Sequence, residues 1–121
     1  MSIDRSEVEN LMDRSGFVRL HETKKVVEYC SSHNGKVLYF RTEIGLPEYI
    51  RLVVHPDEEI AELIALGGVA ANSPKEFQHG SNMSGFPKKM NKGKDEIHYG
   101  RALNVSSLVA LGNFTSAFHK L

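Results

Sequence analysis

Two histidines and a tyrosine are the first residues whose types suggest chemistry. His55 closes the run Tyr49-Ile50-Arg51-Leu52-Val53-Val54-His55-Pro56, and His98 opens the tripeptide His98-Tyr99-Gly100. Imidazole titrates near neutral pH and serves as general acid, general base or metal ligand. If the tripeptide folds back to the end of the run, His55, His98 and Tyr99 form a candidate pocket, with Asp57 as a third metal ligand. The spacing matches no paired HxxxH motif. The plainer alternative is that the imidazoles and the phenol tie a loop to a sheet by hydrogen bonds.

Positive charge gathers close by. Lys88, Lys89, Lys92, Lys94 and Arg101 fall in a glycine-containing stretch, with Phe86 and Tyr99 as rings on which a base can stack. Residues 1–71 hold 8 Lys/Arg and 12 Asp/Glu, a net of −4, and residues 72–121 hold 7 and 3, a net of +4. The whole molecule is therefore neutral and attracts no polyanion at long range, but a local basic surface is available. The competing reading of the lysines is a solvated loop tip. Ser81 and Ser84 lie near glycines, but no GxSxG elbow is present, nor a P-loop or dinucleotide fingerprint. No cofactor is expected.

These residues need a frame. With 121 residues, 40% hydrophobic and 25% charged, the chain suits one α+β domain, residues 1–121, with one modest core. No apolar run has the length of a membrane span, and Met1-Ser2-Ile3-Asp4-Arg5 lacks the hydrophobic region of a signal peptide, so a cytoplasmic protein is expected. Cys30 is the single cysteine, which excludes an internal disulfide and reads as a small core residue.

A first helix near 6–15 is capped by Asp4 or Ser6, carries Glu7 and Glu9 at its positive end, and presents Val8, Leu11 and Met12 as one stripe. Strands follow at Phe17–Leu20, Val26–Cys30, Lys36–Phe40 and 49–55, with Asn34-Gly35 as a type I′ turn. Short connections favour an antiparallel sheet of three to four strands, packed by the N-terminal helix and a C-terminal helix near 106–119. Asp57-Glu58-Glu59 reads as the acidic start of a second helix with Ile60, Leu63 and Ile64 inward. The last helix takes Ser106 or Ser107 as cap and buries Leu108, Leu111, Phe114 and Phe118. Residues 67–100 hold no sustained period and read as a long irregular loop, of the kind that is usually functional or disordered.

Four segments carry a family resemblance: Glu7-Val8 through Gly16-Phe17; Leu52-Val53-Val54-His55-Pro56; Phe86-Pro87 with Gly93 and His98-Tyr99-Gly100; and Ser106-Ser107-Leu108-Val109-Ala110-Leu111 with Phe114. In that order they resemble the YgaC-like family of small uncharacterised bacterial cytoplasmic proteins. The resemblance implies a compact α+β domain and brings no established activity.

Two functional expectations follow. One is a non-catalytic binding module that meets a protein or nucleic acid through residues 72–101, by way of Lys88, Lys89, Lys92, Lys94, Tyr99 and Arg101. Small inhibitors and immunity factors of phage or mobile elements are of this size. The other is a histidine-based enzyme or metal-binding protein centred on His55 and His98. No membrane partner is expected.

Overall fold

The computed structural model describes residues 2–71, 78–79, 83–91 and 95–121. Helix α1 (Arg5–Arg14) begins at a reciprocal cap: the Asp4 side chain accepts from Ser6 N–H and the Glu7 side chain accepts from Asp4 N–H. Strands β1 (Phe17–Glu22), β2 (Val26–Ser31), β3 (Val37–Arg41) and β4 (Ile50–Val54) follow as an antiparallel meander. Helix α2 (Ala61–Ile64), strand β5 (Val69–Ala71), short strand β6 (Gln78–His79), strands β7 (Lys88–Asn91) and β8 (Asp95–Val105) and helix α3 (Leu108–Phe118) complete the order.

The α+β class and the antiparallel pairing agree with the sequence, but the sheet is larger than three or four strands. Among the described residues, six strands run in the order β1-β2-β3-β4-β8-β5. The stretch expected to be an irregular loop supplies the difference. β8 pairs with β4 through Arg101–Val105 and with β5 through Leu103–Val105, while its first half pairs with β6 and β7. Polar residues and Gly100 in its first half hide this strand from a periodicity search, because its partners rather than its own alternation hold it extended.

β4 is buried at all five positions, which explains why its sequence shows no polar–apolar alternation. Ile50, Leu52 and Val54 face the helices, in one core with Val8, Met12, Tyr29, Leu103, Leu111, Phe114 and Phe118. Val53 belongs to a second, smaller core on the opposite face, with Val26, Tyr39, Met83 and Phe86. Each fully buried aliphatic or aromatic side chain contributes about 1.5–3 kcal/mol.

Two local expectations are corrected. The β2–β3 connection is a five-residue loop, 32–36, rather than a two-residue I′ turn. Gly35 takes φ +74, but Asn34 spends its side chain elsewhere, accepting Lys36 N–H and donating to Phe118 O. The second helix is a single turn starting at Ala61, with no side-chain cap, so Asp57, Glu58 and Glu59 precede it. Leu63 is buried there, whereas Ile64 is 40% exposed.

Candidate functional site

His55 lies just past the end of β4, where Pro56 stops the ladder. Its Nδ1 accepts the Asp57 N–H at 3.1 Å, and its ring meets Phe86 edge-on with centroids 5.6 Å apart. His98, in β8, has Nδ1 2.6 Å from the carbonyl oxygen of Phe86, to which it donates. The two imidazoles thus meet at one residue. Phe86 itself is 4% exposed and stands edge-on to Tyr39 at 4.8 Å.

Gly100 makes the close fit possible. A Cβ at that position would lie 2.5 Å from Val54 O and 2.9 Å from Phe86 Cδ2, so no larger residue fits without displacement. Tyr99 is half-buried, pairs with His79, and donates its N–H to Pro87 O at 3.0 Å. The segment 83–87 is therefore fastened to the sheet by Phe86, His98 and the Tyr99 backbone.

A cavity of about 200 Å³ opens beside Phe86, walled by Val37, His55, Gly85 and Phe118. Lys36 and Glu58 stand at its rim, with Nζ 2.5 and 2.9 Å from the two carboxylate oxygens, so the two charges cancel. Behind it, the Tyr39 hydroxyl donates to Glu28 Oε1 at 3.0 Å and accepts from Gly85 N–H at 2.8 Å. Burial pushes this phenol up to about 12; the Gly85 N–H works against the shift and the Glu28 charge adds to it.

Asp57 is exposed and does not complete a metal set: among the described residues, no three His, Cys, Asp or Glu side chains are placed to hold an ion. Both histidines spend Nδ1 on the backbone, an arrangement that clamps the chain.

The basic cluster divides. Lys88 is exposed on β7, which pairs with β8 in the register Lys88↔His98, Lys89↔Ile97, Met90↔Glu96 and Asn91↔Asp95. Lys92, Lys94 and Ser81 lie outside the described residues. Arg101 is turned to the other motif, donating from Nε to Pro56 O at 3.2 Å. Cys30 is half-buried, with Sγ 3.5 Å from Gly35 O.

Sequence reasoning missed two polar groups. The buried Ser31 and the half-buried His119 form a contact that closes the end of α3 onto the end of β2. Arg41 on β3 and Arg51 on β4 are buried. The uninterrupted run 49–55 holds the signal for Arg51, since a charged residue inside a strand buried on both faces must itself be buried.

The chain matches no protein-family model and no curated protein. No helix among the described residues is long and apolar enough to cross a membrane.

Proposed function

We propose that the protein is a non-catalytic binding module whose contact surface is the β7–β8 ribbon, with a polyanion, foremost nucleic acid, as its partner. The observation that carries this reading is that Lys88 and Lys89 sit in a strand paired to β8, on a base fastened by His98 and Phe86. A two-stranded ribbon is a form that enters a nucleic-acid groove, and lysines along it neutralise phosphates. Residues 88–96 hold four lysines against Asp95 and Glu96, a net of +2, so the attraction is local and strongly screened by salt. The YgaC-like resemblance belongs to the same reading. Three stretches that carry it, around His55, Phe86 and His98–Gly100, come together at the base of the ribbon.

Electrophoretic mobility shift over a salt series tests the reading. With alanine at Lys88, Lys89, Lys92 and Lys94, binding to a short duplex or single strand is expected to be lost and its salt slope flattened, each lost phosphate contact removing about 0.7–0.9 from the slope. Equal binding by this variant and the wild type overturns it. The histidine-based alternative rests on the cavity beside His55, and would be favoured by a turnover that His98→Ala abolishes.

A further inference from the structure

The cavity beside Phe86 is walled by four separate parts of the chain. Leu38 registers with Val54, so Lys36 and Val37, just before it, reach the end of β4. There the chain turns, with the Glu58 N–H donating to His55 O at 3.0 Å, and both ends of that turn border the space. Gly85 and Phe86 come from the segment before β7, and Phe118 from the end of α3. The protein itself fixes these walls. Gly85 N–H is given to the Tyr39 hydroxyl, Phe118 O accepts from Asn34 Nδ2 at 2.7 Å, and Phe86 O takes the His98 proton. A site organised in advance loses little freedom on binding.

Size and polar groups narrow the occupant. Sites for drug-sized molecules run to about 300–1,000 Å³, so a cavity of about 200 Å³ suits one ring system rather than a whole cofactor. Val37, Phe86 and Phe118 offer a planar ring apolar contact. The charges of Lys36 and Glu58 cancel, which favours a neutral group over an ion. Their hydrogen-bonding capacity is not used up. An ammonium has three donors, and the carboxylate engages it through both oxygens; a carboxylate has about four acceptor positions, and the ammonium fills two. One donor is thus left beside two acceptor positions. Among the four bases, guanine alone presents the matching edge, the O6 carbonyl followed by N1–H and the N2 amino group. His55 adds a donor: Nδ1 accepts the Asp57 N–H, so the neutral ring carries its proton on Nε2.

We infer that the cavity beside Phe86 is a binding site for a guanine ring, whose Watson–Crick edge is read by Lys36 and Glu58 at the rim. Edge hydrogen bonds together with aromatic contact are the means by which unpaired bases are recognised. The inference does not depend on the lysines of the β7–β8 ribbon. The same ring comes from two sources, a free guanine nucleoside or nucleotide and an unpaired guanine in a nucleic-acid strand.

Calorimetric titration of the full chain with guanosine is the test. Saturable binding at one site is expected. Inosine, which lacks the N2 amino group, should bind about tenfold or more weakly, and adenosine more weakly still, because each lost bond is one to a charged group. Glu58→Gln and Lys36→Met should weaken guanosine by a similar factor. The guanosine–inosine comparison on the wild type needs no variant, and it decides the matter if either variant fails to fold by circular dichroism. An oligothymidylate with one central guanine that displaces guanosine, where the all-thymine strand does not, assigns the site to nucleic acid; failure of both assigns it to the free nucleoside or nucleotide. The quadruple lysine-to-alanine variant should bind guanosine as the wild type does, so loss of the ribbon's strand binding and loss of this site are read separately. No saturable binding of guanosine, equal affinity for guanosine, inosine and adenosine, or undiminished binding in the folded Glu58 and Lys36 variants overturns the inference.

Discussion

The hydroxyl of Ser31 and Nδ1 of His119 stand 2.6 Å apart, joining the end of β2 to the end of α3. Ser31 Oγ also accepts the N–H groups of His33 and Asn34, so its own proton goes to the imidazole, and His119 Nε2 donates to Ser15 O. The rings of Phe17 and His33 lie against His119 at 4.6 and 4.2 Å. Ser31 is 1% exposed, which gives this serine–histidine contact a fastening role. Replacing Ser31 by alanine strands two N–H groups and one ring nitrogen, and should cost about 1–3 kcal/mol in urea denaturation. Ser32→Ala, which removes only an exposed bond to Gly16 O, should cost less than Ser31→Ala.

Gly100→Ala probes the fit beneath Phe86. The added methyl would press on Val54 O and Phe86, and overpacking of this kind destabilises by about 1–3 kcal/mol. The chemical-denaturation midpoint should fall, whereas Gly112→Ala, with open space around its Cβ in a helix, should raise stability by up to about 1 kcal/mol.

His98→Leu removes the donor to Phe86 O while keeping bulk at that position. The base of the ribbon should loosen first. Amide exchange at Tyr99, whose N–H bonds Pro87 O, should accelerate in this variant while exchange in β2 and β3 stays slow. Equal protection at Tyr99 in both proteins would show that the imidazole holds nothing in place.

Alkaline stability should report on Tyr39. In the unfolded chain the phenol ionises at its ordinary value of 10.0, and in the folded protein burial pushes it up to about 12. Between those values the folded state holds more protons, so stability falls as pH rises, while below pH 10 the contribution is whole. Burial also raises the Tyr29 phenol, so Tyr39→Phe should reduce the alkaline slope without abolishing it. The phenolate absorbance titration, followed near the edge of the tyrosine band, should lose its component near 12 in that variant.

Much of the first half of the fold could be read from residue order. Asp4 and Glu7 announce α1, the β-branched runs announce β2, β3 and β4, and Ser107 caps α3 as its position suggests. β5 and β8 escaped because Val69-Ala70-Ala71 is short and Asp95–Gly100 is polar; only their pairing makes them strands. The histidines were legible as residues of interest, but their meeting point was not. Phe86 collects His55 through its ring and His98 through its carbonyl, a relation no spacing rule contains. The Ser31–His119 contact spans 88 positions and leaves no local pattern at all.

Among the described residues β8 is the strand on which four others register, and that arrangement predicts an order of events during folding. β1 to β4 assemble from near neighbours in sequence, but the free edge of β4 waits for Arg101–Val105, about fifty positions later. Until then Ile50, Leu52 and Val54 line an unpaired edge, the kind of template on which chains join one another. Pairing at such separation is slow. Refolding should therefore show a meander formed early and a rate set by capture of β8, and concentrated refolding should lose protein to association at the edge of β4.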